Sequence, residues 1–137
     1  MQNKIISSYI EYMNFYKKDP ISSRKIEGTS EMWMKLLIDF TEYTEAISLN
    51  KKLPDEILEF LSLSIDNNIR YTIASKHKLP AHLYLKLSLD KNESVRMRIA
   101  LNKNTPKDVL ENMKNDEWDN IVEIVKKRLI TNFNLNF

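Results

Sequence analysis

The sequence contains the same 26-residue unit three times between Leu53 and Ile130, without a gap. The copies are Leu53–Lys78, Leu79–Asn104 and Thr105–Ile130. Each copy has proline at its second position, as Pro54, Pro80 and Pro106. A fixed period in this range is typical of stacked repeat proteins, in which each unit buries its apolar face against its neighbours. The period therefore predicts that these units stack in register.

Apolar residues recur in the same columns of the three copies, which indicates two short amphipathic helices per unit. The shared columns are Ile57/Leu83/Val109, Leu61/Leu87/Met113, Ile69/Val95/Ile121 and Ile73/Ile99/Val125. Proline suits the first turn of the first helix, because the amide that it lacks would have no partner there. The candidates to cap the second helix are Asp66, Asp90 or Asn92, and Asp116. Helices this short do not persist alone in water, so stacking must stabilise them.

The segment that precedes the repeats also has helical periodicity. Apolar residues at three- and four-residue steps predict a helix over Gln2–Lys17, which Asp19 and Pro20 end. A second, longer helix is predicted to begin after a cap at Thr29 and to run to Ile47. Its predicted buried stripe is Met32, Trp33, Leu36, Leu37, Phe40, Tyr43 and Ile47.

The end of this second helix extends the repeat pattern toward the N-terminus. Ile47–Pro54 matches Ile99–Pro106 at five of eight positions, which indicates a degenerate fourth unit. We therefore predict one all-α domain: a short right-handed α-solenoid of stacked helix pairs with an N-terminal capping helix. Its predicted parts are residues 1–28 (capping helix and loop), 29–52 (degenerate repeat), 53–78, 79–104 and 105–130 (repeats) and 131–137 (tail).

The last predicted helix, about Glu117–Leu129, differs from its counterparts. It carries Lys126 in the column that holds Ala74 and Ala100 in the two preceding copies. A small residue lets neighbouring helices approach closely, whereas a lysine requires solvent. The substitution is what the closing end of a stack requires.

Composition excludes several functional classes. With 21 basic and 19 acidic residues the net charge is only +2, which does not by itself indicate nucleic-acid binding. The absence of cysteine excludes disulfides, thiol nucleophiles and Cys-based metal sites, and it suits the cytoplasm. Gly28 is the one glycine, so glycine-rich phosphate loops are excluded as well. We expect no secretory signal and no membrane span, because the chain lacks a long apolar run.

A family resemblance rests on the proline, the acidic turn and the pattern that follows them. The residues are Pro80, Asp90, Val95, Arg96, Ile99, Ala100 and Asn102, with Ile69, Arg70, Ile73 and Ala74 in the copy before. This pattern resembles the variant leucine-rich repeats and the related HEAT-like α-solenoids. The resemblance implies an α-solenoid architecture and says little about function. The iron–sulfur cluster of one such family is not implied, because there is no cysteine.

Arginines recur at the repeat period and allow two interpretations. Arg70 and Arg96 occupy one column, with Arg98 and Arg128 nearby. They could form an electropositive ladder for phosphate or for an acidic partner. Alternatively, each could pair with an inter-helix aspartate of the adjoining unit. Recurrence at the repeat period favours the second interpretation, because stacking needs recur in every unit and binding needs usually do not.

Other side chains are candidates for partner contacts. An acidic stripe on the second helix would be either a solvated face or a docking surface for a basic partner. It consists of Glu31, Asp39, Glu42 and Glu45. Four aromatic residues lie outside the apolar columns and are candidate interface residues, namely Tyr12, Phe60, Tyr71 and Trp118. His77 and His82 make a poor metal site without further ligands. No catalytic constellation, metal or cofactor is expected.

The first functional hypothesis is a non-enzymatic protein-binding module, because solenoids present extended binding surfaces. In size and in its richness in Ile, Asn and Lys, the chain also resembles bacterial immunity proteins, which accompany polymorphic toxins such as those of contact-dependent growth inhibition. That resemblance implies a cytoplasmic antitoxin that binds and blocks one cognate toxin. Such toxins are often nucleases, including RNases that act on tRNA. A basic nuclease would favour the acidic stripe as the contact, and an acidic partner would favour Arg70, Arg96 and Arg98.

The second hypothesis is a nucleic-acid-binding or base-processing α-solenoid, similar to the HEAT-like DNA glycosylases. Its phosphate contacts would come from Lys76–Lys78, Arg96–Arg98 and Lys126–Arg128. Residues 51–137 contain 15 basic and 12 acidic side chains, a surplus of three. A surplus of only three positive charges argues against a surface that binds the phosphates of a nucleic-acid backbone.

Overall fold

The computed structural model describes residues 5, 6 and 8–134, and about 69% of these residues are helical. The prediction of an all-α fold is confirmed. The chain forms two compact units, Met1–Leu63 and Ser64–Phe137. We refer to them as the first and second units and describe each by itself. The boundary between them lies inside the first of the three 26-residue copies.

The first unit contains four α-helices and one pair of very short strands in its described part. Its helices are α1 (Tyr9–Lys18), α2 (Ser30–Asp39), α3 (Thr44–Ser48) and α4 (Asp55–Ser62), with 3-10 turns at Ser22–Lys25 and Thr41–Tyr43. The strands β1 (Ile5–Ile6) and β2 (Glu27–Gly28) pair in parallel.

The helix predicted over Gln2–Lys17 begins later than expected. Ile5 and Ile6 lie in β1, and α1 begins at Tyr9. The reason is a cap: the Ser8 hydroxyl accepts a hydrogen bond from the Ile10 amide at 3.2 Å, so the backbone is extended at Ser8 and becomes helical after it. The remainder of the predicted start, residues 2–4 and 7, lies outside the described residues.

The long helix predicted from Thr29 to Ile47 is interrupted. Thr29 does cap α2, through a 3.2 Å bond from the Met32 amide. The helix then ends at Phe40, whose backbone leaves the helical region at φ −133° and ψ 64°. Phe40 precedes Asp66, Asn92 and Trp118 by one, two and three periods, and each of these residues begins a helix. The interruption therefore falls where the repeat places the break between its two helices.

The core of the first unit is aromatic. Tyr12 and Trp33 are fully buried and pack edge to face, with ring centroids 5.0 Å apart. Tyr43 packs edge to face on Tyr12 at 6.1 Å. The prediction that Tyr12 is an interface residue is therefore wrong, because its ring fills this core. Burial raises the pKa of its phenol to about 12.

The second unit contains five helices in its described part. They are α5 (Asn67–Ala74), α6 (Ala81–Ser88), α7 (Glu93–Leu101), α8 (Lys107–Met113) and α9 (Asp119–Phe133). Pro80 and Pro106 stand immediately before α6 and α8, as the sequence predicts. Helices in corresponding positions of successive copies contact each other: α5 contacts α7, α7 contacts α9, and α6 contacts α8. Ala74 and Ala100 are fully buried, whereas Lys126, in the same column of the repeat, is exposed.

The last helix is longer than predicted. It begins at Asp119 and ends at Phe133 instead of Leu129, so part of the predicted tail is helical. Asn134 ends it in the left-handed conformation, with φ 54°. Asparagine tolerates this conformation better than most residues. Residues 135–137 lie outside the described part of the chain.

Two of the predicted caps are observed and two aspartates have another role. Asp66 and Asn92 accept hydrogen bonds from the amides at the starts of α5 and α7. Asp90 and Asp116 instead accept from the amides two residues later, at 2.9 Å each, and so close the turn that precedes the helix. This leaves the rest of each carboxylate available for a longer-range contact.

Those carboxylates bind the repeated arginines. Arg70 donates from Nε and Nη2 to Asp90 at 2.8 and 3.0 Å, and Arg96 donates in the same way to Asp116 at 2.8 and 3.3 Å. In both cases the aspartate lies 20 residues later in the chain, and Nη1 binds the carbonyl six residues earlier. All four side chains are at most 9% exposed. The interpretation of Arg70 and Arg96 as pairs with inter-helix aspartates is confirmed.

A second set of recurring bonds joins the carboxyl ends of the helices. Asn102 donates from Nδ2 to the Ala74 and Lys76 carbonyls at 3.0 and 2.7 Å. One period later, Arg128 donates from Nη1 to the Ala100 and Asn102 carbonyls at 2.5 and 2.9 Å. The last carbonyls of a helix have no partner within it, so these bonds satisfy groups that would otherwise need water.

We predict that loss of a buried carboxylate destabilises the second unit far more than loss of an exposed one. Asp116→Ala leaves the Arg96 guanidinium buried without its counter-ion and should lower the free energy of unfolding by about 3 kcal/mol. Glu117 is the matched control, because it lies 3.5 Å from Arg96 but is 81% exposed. Glu117→Ala should change stability by less than about 0.5 kcal/mol. Urea unfolding followed by circular dichroism measures both values, and equal effects would contradict the buried pairing.

The Arg70–Asp90 pair should also make stability depend on pH. Burial opposes the charged form of Asp90, but hydrogen bonds from Arg70 and the Asn92 amide outweigh burial and hold its pKa below the ordinary value of 3.8. A lowered pKa contributes stability that is fully present above the unfolded pKa and is lost as the pH falls through the folded pKa. The stability difference between the wild type and Asp90→Asn should therefore shrink between neutral pH and about pH 2. A difference that stays constant over this range would contradict the assignment.

Candidate partner-binding surface

Three of the predicted interface residues meet at one groove in the second unit. Tyr71 of α5, Arg98 of α7 and Trp118 at the start of α9 line a cavity of about 260 Å³. The rest of its lining comes from α7, namely Glu93, Ser94, Met97 and Leu101. We call this cavity the Arg98 groove. The fold thus assembles residues that lie up to two copies apart in the sequence.

Helical geometry explains why these residues share a surface. Met97 and Arg98 lie three and four residues after Ser94, and Leu101 lies four and three residues after them, which places all four on one side of α7. The opposite side of α7 is the buried one and consists of Val95, Arg96, Ile99 and Ala100. Arg96 and Arg98 are only two residues apart and therefore point to opposite sides of the same helix.

The Arg98 side chain is held in place by neutral groups. Its Nε donates to the Ser75 hydroxyl oxygen at 2.9 Å, and its guanidinium carbon lies 5.8 Å from the centre of the Tyr71 ring. The Ser75 hydroxyl in turn donates to the Tyr71 carbonyl at 2.8 Å. Among the described residues, no carboxylate lies within ion-pair distance of Arg98. The charge of Arg98 is thus oriented but not neutralised.

A smaller polar cavity is also lined by Arg98. It has a volume of about 170 Å³ and shares Arg98 and Leu101 with the Arg98 groove. Its remaining lining is Ser75, Lys76, His77, Asn102 and Lys103. We call it the polar groove. Its ionisable lining residues are all basic types, so a negatively charged group is the ligand that it fits best.

The Arg98 groove exposes three large apolar side chains. Tyr71, Leu101 and Trp118 are 41%, 46% and 43% exposed. Large apolar side chains that cluster at the surface indicate an interaction site, whereas scattered ones do not. Apolar side chains beside an oriented arginine are typical of the energetic centres of protein interfaces.

The remaining candidate residues do not line the Arg98 groove. Arg70 and Arg96 are 5% and 7% exposed and are occupied by their aspartates. Phe60 is exposed at 39%, but it belongs to the first unit. His77 lines the polar groove, and His82 is exposed at the start of α6. No group of three or more metal-binding side chains occurs within residues 8–134.

The four residues of the predicted acidic stripe are exposed, but they do not lie on one helix. Glu31 and Asp39 lie on α2, where Asp39 forms an ion pair with Lys35. The break at Phe40 places Glu42 in a 3-10 turn and Glu45 on α3. The prediction that one uninterrupted helix carries all four is therefore wrong, whereas their contact with a basic partner stays a prediction.

Comparison with known proteins returns no match: no family model fits the sequence, and no curated protein or solved structure is significantly similar. The resemblances to HEAT-like solenoids and to immunity proteins therefore stay predictions. Among the described residues, no helix has both the length and the apolar character needed to cross a membrane.

Sequence reasoning missed several residues that line the two grooves, among them Ser75, Met97 and Leu101. Ser75 and Leu101 stand one period apart, just after α5 and at the end of α7. Met97 stands one period after Tyr71. The signal was present, because Ser94, Met97, Arg98 and Leu101 have helical spacing on the side of α7 that the repeat leaves unburied.

The two tryptophans provide a test of the surface. Trp33 is fully buried and Trp118 is 43% exposed, so a soluble quencher such as acrylamide should reach only Trp118. We expect quenching of the wild type to be partial and to be almost absent in Trp118→Phe. Fluorescence titration measures this, and unchanged quenching in Trp118→Phe would show that the ring is not exposed as described.

Proposed function

We propose that this chain is a non-enzymatic protein-binding module that docks its partner on the Arg98 groove. The observation that carries the proposal is the oriented and unneutralised guanidinium of Arg98 beside exposed Tyr71 and Trp118. Arginine, tyrosine and tryptophan are the residues most enriched in interface hot spots. Neutral partners hold the arginine in place before binding, which lowers the entropic cost of using it.

The proposal includes a short right-handed α-solenoid as the scaffold, with α1 as its N-terminal cap. Support comes from the bonds that recur at the repeat period in the second unit, such as Arg70–Asp90 and Arg96–Asp116. A stacked scaffold aligns the outward sides of α5, α7 and α9, which is how repeat proteins present a continuous binding surface.

In its most specific form, the proposal is a cytoplasmic immunity protein that neutralises one cognate bacterial toxin. The cationic groove bears on how it would act. A nuclease toxin binds phosphates through a basic surface. Arg98 complements acidic groups, so the docked segment would lie outside that basic surface, and inhibition would follow from steric obstruction or from blocking another partner.

A direct test first identifies a toxin domain among the proteins encoded beside this gene and then uses it as the binding partner. Trp118→Ala and Arg98→Gln should each weaken its binding by more than tenfold, which corresponds to at least about 1.4 kcal/mol. Phe60→Ala and Lys127→Gln are matched controls, because they remove an exposed aromatic ring and an exposed charge outside the groove. Biolayer interferometry measures all five affinities.

Two outcomes would contradict the proposal. One is an affinity for the toxin that neither groove variant changes. The other is salt-dependent binding of single-stranded RNA or DNA that Arg98→Gln and Trp118→Ala abolish, which would assign the same groove to phosphates and bases.

A further inference from the structure

The Arg98 groove and the polar groove are neighbours along α7, because both are lined by Arg98 and Leu101. We call the two grooves together the track. Glu93 and Ser94, at the start of α7, line the Arg98 groove, whereas Asn102 and Lys103, just beyond its end, line the polar groove. The lining therefore changes from mainly apolar side chains with one acidic residue in the Arg98 groove to basic and polar side chains in the polar groove.

From this polarity we infer the chemistry of the bound segment: an extended stretch of a partner protein with an apolar side chain and, one or two residues away, an aspartate or glutamate. The apolar side chain enters the Arg98 groove between Tyr71 and Trp118, and the carboxylate binds the Arg98 guanidinium on the side of the polar groove. This inference rests on the proposed function, since it specifies what the docking surface recognises.

The arginine geometry supports a carboxylate. Nε of Arg98 is bound to Ser75, so the Nη groups remain to meet an incoming acceptor. Carboxylates accept two parallel bonds from a guanidinium and thereby fix the direction of the segment. A charged partner also strengthens these bonds relative to those with a neutral amide.

The spacing follows from the shared residues. Because Arg98 borders both grooves, its ligand and the apolar side chain must come from neighbouring positions. Extended chain advances about 3.3 Å per residue, so positions one or two residues apart span roughly 3 to 7 Å. A longer separation would place the carboxylate beyond the arginine.

Glu93 sets the direction of the segment. It lines the apolar end of the track and would repel a carboxylate placed there. His77 and Lys103 line the opposite end. The acidic residue of the segment is therefore expected at the end of the track near Lys103. The presence of Glu93 in the groove also disfavours a nucleic acid, whose phosphates would pass the same point.

The test uses three fluorescein-labelled peptides with amidated C-termini, so that no terminal carboxylate can bind. They carry Leu-Asp, Leu-Asn or Ala-Asp within the same glycine–serine frame. Fluorescence anisotropy and the indole NMR signal of Trp118 report binding, and the signal of buried Trp33 is the internal control. We expect the Leu-Asp peptide to bind about tenfold more tightly than either of the others.

Variants of the protein separate the two parts of the site. Arg98→Gln should remove the preference for Asp over Asn and keep the preference for Leu over Ala. Trp118→Ala should remove the preference for Leu over Ala and keep the preference for Asp over Asn. Lys127→Gln, which removes an exposed charge outside the track, should change neither preference. Far-ultraviolet circular dichroism checks that each variant keeps its helices.

The outcomes distinguish this inference from the proposed function. Equal binding of the Leu-Asp and Leu-Asn peptides would overturn it. Failure of all three peptides to bind at millimolar concentration would also overturn it. If Trp118→Ala still weakened binding of the toxin in that case, the proposed docking surface would stand and only the inferred segment would be wrong.

Discussion

The arginine–aspartate pair that links consecutive copies is the interaction on which the second unit depends. A guanidinium that is almost fully buried requires a counter-ion, and Arg70 and Arg96 each find one 20 residues later in the chain. Such a pair is weak evidence for net stability, because desolvation offsets much of the attraction. Its geometric requirement is strict, however. A shift of one helix along the next would separate the arginine from its aspartate and leave a buried charge without a counter-ion. The pairs therefore hold α5, α7 and α9 in one register.

That register determines which side chains are neighbours on the outer surface of the second unit. Arg96 occupies the buried side of α7, and Arg98 occupies the opposite side of the same helix. The first is bound by a carboxylate of the chain, and the second is bound by the neutral groups of Ser75 and Tyr71. Fixing α5 and α9 beside α7 brings Tyr71 and Trp118 to Arg98. The same pairing that stabilises the stack therefore assembles the groove.

Much of the second unit could be predicted because its determinants recur. The period placed Asp90 and Asp116 opposite the repeated arginines, and it placed proline before α6 and α8. What escaped prediction has two causes. The break at Phe40 follows the repeat, but it was hidden because apolar spacing continues through it. The cap at Ser8 and the extension of α9 to Phe133 are local features without a counterpart in the other copies.

The binding surface was predicted in part, for a physical reason. Tyr71, Arg98 and Trp118 stood out as residues that the core did not need, but no pattern in one sequence says which outward side chains become neighbours. Arg70 and Arg98 look alike in a list of arginines. The packing of α5 on α7 distinguishes them: Arg70 is bound by Asp90 inside the stack, whereas Arg98 lies on the outer side of α7, where a partner can contact it.

Hydroxyl-radical footprinting of the chain, free and bound to the proposed partner protein, tests the central claim most directly. Tyr71, Met97 and Trp118 belong to readily oxidised residue types. Binding should strongly reduce the labelling of these three side chains and leave that of exposed Phe60 unchanged. Protection of Phe60 or of the acidic residues around Phe40, with Trp118 labelled as in the free chain, would contradict it.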